Sequence, residues 1–161
     1  MKALLIIIGI ILVVFLAGWL WGSTLPATHK VTVNQKINAP INQVWEAMTD
    51  WKKQPRWRAE LKSVDVISET KFIELPSYGP EIIFDVLDLK KPNRFELQMS
   101  GSIEGRYITK LSFENGVTNV TATEIVIQKS PIKRVITYLF FDLNAFAQEY
   151  MQQLKIYVEA K

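Results

Sequence analysis

SPIKRVITYLFFDLNAFAQEYMQQLKIYVEA, residues Ser130 to Ala160, decides how the rest of the chain has to fold. Its apolar residues Ile132, Val135, Ile136, Leu139, Phe140, Leu143, Phe146, Ala147, Tyr150, Met151, Leu154, Tyr157 and Val158 recur at helical spacing, which predicts one long helix with an apolar stripe. Ser130 can accept a hydrogen bond from an unsatisfied N–H of the first turn, and Pro131 has no N–H to lose there. A stripe this wide must be covered, so the preceding residues have to supply a broad apolar surface.

They read as strands. Residues 29–37 alternate, with Val31, Val33, Gln35 and Ile37 on one side and Thr32, Asn34 and Lys36 on the other. Ala39-Pro40 ends that strand, Ile41 to Met48 forms a short helix, and Trp51 to Trp57 forms a second short turn broken by Pro55. Six further stretches rich in Val, Ile, Phe, Tyr and Thr follow: 62–68, 71–75, 80–89, 94–99, 106–114 and 117–128. Glu69-Thr70, Lys91-Pro92-Asn93, Gly101 to Gly105 and Asn115-Gly116 separate them, and Asn-Gly between alternating segments is a strong hairpin signal. The expectation is an antiparallel meander with one apolar face, closed by the long helix.

Residues 3–21 carry no charge and, at about 1.5 Å per residue, approach the ~30 Å thickness of a bilayer core. Trp19 and Trp21 sit where indoles favour the interface, and Lys2 with the amino terminus marks the cytoplasmic end. The run exceeds the usual signal-peptide core and is followed by a poor cleavage site, so an uncleaved single-pass anchor is expected over a removed signal. The division expected is an anchor over 1–22, a linker over 23–28 and one domain over 29–161, with that domain on the extracytoplasmic side.

Several chemistries lack raw material. There is no cysteine and one histidine, His29, which excludes disulfides, thiolate catalysis and His- or Cys-built metal centres. The net charge is +3, +2 without Lys2, and the charges are interspersed along the strands, unlike a nucleic-acid footprint. No phosphate-cradling glycine loop and no spaced carboxylate pair appears, so neither metal nor cofactor is expected.

The order strand, Ala-Pro, short helix, turn, six strands, long helix resembles the helix-grip superfamily of START lipid-transfer domains, pollen allergens and polyketide cyclase/dehydrase proteins (SRPBCC). The likeness is carried by Ile37-Asn38-Ala39-Pro40-Ile41-Asn42-Gln43-Val44-Trp45, by Pro55-Arg56-Trp57 and by the stretch from Gly116 to Glu124. It implies an α+β fold: a seven-stranded curved antiparallel sheet, two short helices after the first strand and a long C-terminal helix across the concave face. It also implies an elongated cavity for a hydrophobic or lipid-like small molecule, with family members ranging from carriers to cyclases.

The candidate lining is Trp57, Phe84, Phe95, Leu97, Met99, Tyr107, Leu111, Phe113, Leu143, Phe146 and Tyr150, against plain core packing as the simpler account of the same residues. For an enzyme of cyclase or dehydratase type, Tyr78, Tyr107, Arg106, Glu104 and Glu124 are the polar candidates, with Glu104 and Arg106, which flank Gly105 in a turn, reading more simply as a solvated loop pair. Glu124 shares a strand face with Val120, Ala122 and Val126; the wetter end of the sheet is expected for it, since an unpaired buried charge is costly. Trp51 to Arg58 interleaves basic and aromatic residues; either it rests on anionic headgroups, or Trp57 packs inward while Lys52, Lys53, Arg56 and Arg58 are solvated. The inward reading of Trp57 is favoured.

Overall fold

A computed structural model describes residues 2–160. The elements run α1 (Lys2–Thr24), β1 (Thr28–Ile37), α2 (Ile41–Thr49), a 3-10 helix (Trp51–Arg56), β2 (Leu61–Ser68), β3 (Lys71–Pro76), β4 (Ile82–Lys90), β5 (Arg94–Gly101), β6 (Glu104–Glu114), β7 (Val117–Ile127), α3 (Pro131–Phe140) and α4 (Leu143–Glu159). The chain forms two compact units. One holds the residues up to His29 together with Ile127–Asp142; the other holds Lys30–Val126 and the residues from Leu143 onward.

The seven strands form one sheet in the order β1-β7-β6-β5-β4-β3-β2. From β2 to β7 each strand pairs with the next, as expected where short turns join alternating segments. Asn115 (φ 51°) and Gly116 (φ 81°) both take left-handed backbone, the geometry a two-residue hairpin between β6 and β7 requires. At Gly105 an added Cβ would stand 2.0 Å from the Ile125 carbonyl oxygen, so only glycine lets β6 approach so closely.

Within the second unit the core lies on one face of this sheet. α2 contributes Val44, Trp45, Ala47 and Met48, and α4 contributes Met151, Leu154 and Val158, all buried with Phe72, Phe95, Leu97, Met99 and Val120. Covering a side chain of this size stabilises by about 1.5–3 kcal/mol, which is what holds α4 in place. Polar tethers fix its register: Gln43 Nε2 donates to the Val158 carbonyl at 3.1 Å, the Asn38 N–H to Glu159 Oε1 at 2.7 Å and the Ala59 N–H to Gln153 Oε1 at 2.7 Å.

The single helix expected over 130–160 is two helices. Phe141 is extended (φ −134°, ψ 117°), its N–H closes the last turn of α3 on the Thr137 carbonyl, and α4 starts two residues later. Ser130 does cap α3, its side chain accepting from the Lys133 N–H. In the first unit α1 is 23 residues long, with a mean hydropathy of 3.0 over its best window and an uncovered apolar surface. That is the profile of a membrane span or of a signal sequence.

Candidate functional site

Aromatic rings run as a file along the sheet face of the second unit. Phe84 stacks on Phe72 at 4.9 Å, Phe72 on Trp51 at 4.5 Å, and Trp51 meets Phe95 edge-on at 5.7 Å. Phe95 continues to Tyr107 at 5.9 Å, Tyr107 to Tyr150 at 6.0 Å, and Trp57 closes the file on Tyr150 at 5.3 Å and Tyr157 at 6.0 Å. Each such pair adds about 0.5–1.5 kcal/mol beyond area burial, so the stretch from Phe84 to Phe95 is solid packing.

The file ends in polar groups. Arg58, 8 % exposed, is held in a fork by both carboxylate oxygens of Glu74, itself 5 % exposed, and donates to Glu60 Oε1 and Gln54 Oε1 at 2.7 Å each. Gln54 in turn donates to the Met48 carbonyl at 2.8 Å, locking the 3-10 helix to the end of α2. The Arg58 guanidinium also lies 5.2 Å from the Tyr150 ring centre. Burial works against its charge, but the carboxylates of Glu74 and Glu60 outweigh that and raise its pKa.

Beside this ion pair four side-chain atoms are buried with no hydrogen-bond partner: Trp57 Nε1, Tyr107 Oη, Thr109 Oγ1 and Glu60 Oε2. The Tyr107 hydroxyl neighbours Thr109 and Tyr150 without closing a well-formed bond to either, and burial pushes its pKa up to about 12. Burial likewise raises Tyr150 well above the ordinary phenol value, with Tyr107 adding to the effect. Glu124 on β7 feels both Tyr107 and Arg58; burial lifts its carboxyl to about 7, with the Arg58 charge opposing the lift. Orphaned buried polar atoms cost free energy, about 1–3 kcal/mol each, so their concentration at one place is informative.

The eleven candidate residues fall into three groups. Trp57, Tyr107 and Tyr150 meet at the polar end of the file. Phe84, Phe95, Leu97, Met99 and Leu111 are buried core, while Leu143 and Phe146 are half-buried on α4. Phe113 is 50 % exposed and stands apart, because it lies near the open end of β6 beyond the reach of the core.

Glu124 corrects the expectation of a wet position. It is in phase with the buried Val120 and Ala122 and half-buried itself. Arg58, expected in solvent, is interior; its sequence signal is Glu74, which alternates in phase with the buried Phe72. Tyr78 is 95 % exposed and Arg106 pairs with Glu96 at 2.8 Å on the surface, so neither joins the site. Trp57 packs inward and Trp51 is stacked on Phe72, which removes both aromatics of that segment from any headgroup-facing surface.

A separate open groove of about 660 Å³ lies between β1 and the start of α4, lined by Thr32, Asn34, Gln35, Gln148 and Gln152 among others. It is polar and contains none of the eleven.

A seven-stranded antiparallel sheet with helices held on one face, and a polar end buried beneath the last helix, defines a helix-grip domain of the START type. Residues 28–156 match the profile of the family described as polyketide cyclase / dehydrase and lipid transport, and the chain belongs to that family. Among solved structures it is similar to a START superfamily protein from Mycobacterium smegmatis (13 % identity, TM-score 0.66, covering 82 % of this chain and 98 % of that one). A conserved protein from Geobacillus kaustophilus is comparable, with 15 % identity, TM-score 0.65 and coverage of 82 % and 96 %. So is protein MLL2253 from Mesorhizobium loti, with 13 % identity, TM-score 0.66 and coverage of 83 % and 98 %. At these identities the likeness is one of fold. A search of curated proteins found no significant relative.

Proposed function

We propose that the protein binds a hydrophobic or lipid-like small molecule in the second unit, beneath α4, and that α1 anchors it to a membrane by one span. The observation that carries this reading is the set of orphaned atoms Trp57 Nε1, Tyr107 Oη and Thr109 Oγ1 at the end of an otherwise apolar file. An indole N–H, two hydroxyls and a carboxyl that is neutral below about pH 7 can together donate to and accept from an oxygen-bearing head group, while aromatic neighbours take the apolar body. The family's described scope includes lipid transport, which agrees with this chemistry.

The test is to purify the full-length protein in detergent and examine by native mass spectrometry what it carries. A co-purifying lipid or isoprenoid-like molecule, lost or reduced in Tyr107→Phe, is the expected result. A protein with no bound molecule, whose Tm no fatty acid or isoprenoid alcohol raises, would retire the reading.

Glu124 supports a second reading, an acid–base enzyme of the cyclase or dehydratase kind, because a carboxyl poised near neutrality beside a tyrosine is suited to proton transfer. Glu124→Gln and Tyr107→Phe should then abolish turnover of a candidate polyketide without lowering Tm. The Lys2 and amino-terminal charges support a cytoplasmic N-terminus and an extracytoplasmic domain; protease accessibility on intact cells tests that orientation.

A further inference from the structure

In the first unit α3 is packed on the end of α1. Gly22 faces the Pro131 backbone so closely that a Cβ would stand 2.0 Å from its carbonyl oxygen, a Cβ on Gly18 would meet Ile132 Cδ1 at 3.5 Å, and Trp21 meets Tyr138 edge-on at 6.1 Å. Arg134 spends its guanidinium on the carbonyls of Gln128 (2.7 Å), Leu25 (3.4 Å) and Lys129 (3.2 Å), and the Gln128 N–H donates to the Ala27 carbonyl at 2.8 Å. These contacts fall on about one turn of α1, residues 18–22, yet extend from Pro131 to Tyr138 on α3, so α3 crosses α1 and does not run along it.

At 100° per residue, Ile132, Val135, Ile136 and Leu139 share one side of α3, Phe140 and Lys133 lie together at its edge, and Arg134 and Thr137 are on the other side. Ile132 is placed on α1, whereas Ile136 and Leu139 are each 53 % exposed and Phe140 is 81 % exposed. The apolar side is therefore bare at the level of Trp19 and Trp21, where a span formed by α1 would leave the hydrocarbon. A helix crossing at that level can lay its apolar side among the acyl chains and keep Lys133 among headgroups.

We infer that α3 is an interfacial helix, embedded in the same leaflet as the end of α1, and that lipid covers Ile136, Leu139 and Phe140. The inference rests on the reading of α1 as a membrane anchor. Its physical basis is continuity: the bare side of α3 extends the uncovered apolar surface of α1, and the one exposed charge within α3 is the basic Lys133.

The chain has no cysteine, so single labels can be placed cleanly. Full-length Leu139→Cys, Ile136→Cys, Thr137→Cys and Val13→Cys variants, each carrying a solvent-sensitive fluorophore, are reconstituted in phosphatidylcholine/phosphatidylglycerol vesicles with and without nitroxide-labelled lipid. The expected result is strong quenching at 13, and quenching at 139 and 136 severalfold greater than at 137. Quenching at 13 with 139 and 136 no different from 137 overturns the inference and leaves the anchor standing. So does disulfide-linked dimer formation by the unlabelled Leu139→Cys variant without lipid quenching of its labelled form, which would make a second copy of the chain the occupant. An aqueous signal at 13 overturns the anchor reading, and this inference with it.

Discussion

Glu124 shows what position on a strand does to a carboxyl. Folded, it holds its proton to about pH 7 against an ordinary value of 4.5. Between those values the folded state binds more protons than the unfolded chain, so stability falls as pH rises through the window and levels off above it. Glu124→Gln should flatten that part of the curve and stabilise the protein at about pH 8 by on the order of 2 kcal/mol, measured by urea melts at both ends of the window. Unchanged melts would place the carboxyl in water. Gly105 makes an opposite kind of demand, for absence of a side chain. An alanine there would meet the Ile125 carbonyl oxygen at 2.0 Å and Met99 Cε at 2.9 Å, so Gly105→Ala should cost about 3 kcal/mol by thermal or urea denaturation.

At the scale of elements, the Arg58–Glu74 pair joins the segment just after the 3-10 helix to β3. Glu74→Gln removes one charge and leaves the buried guanidinium with a weaker partner; a loss of about 3 kcal/mol is expected, and Arg58→Met with Glu74→Leu should recover most of it. On α1, Gly22→Ala would drive a methyl into the Pro131 carbonyl, and trypsin should then cut after Lys133 and Arg134 faster than in the wild type. Most elements were legible because period-two alternation and turn residues reinforce one another, as at Asn115-Gly116. The break before α4 was not, because Leu139, Phe140, Leu143, Phe146 and Ala147 keep helical spacing straight through Phe141-Asp142. Periodicity cannot see an interruption that stays in phase; Asp142, a residue type favoured at helix starts, was the available signal. The polar site was half legible. Tyr107 and Tyr150 follow from alternation and helical spacing and Trp57 from the family resemblance; strand phase alone puts Glu124 on the face of Val120 and Ala122, but the Arg58 charge that it feels there comes from a distant segment that no pattern within β7 announces.

For the molecule as a whole, the family match, the neighbours' fold and the buried orphaned atoms support a single account: a helix-grip domain with a polar end to its core, in a chain that carries its own apolar N-terminal helix. β1 ends at Ile37 and its neighbour in the sheet, β7, starts only at Val117. During synthesis the first strand therefore waits, with Val31, Val33 and Ile37 unmatched, until nearly the entire sheet has left the ribosome. A chain stopped at Asn115 should show no cooperative melting transition, and the nascent protein is expected to depend on a chaperone over that interval.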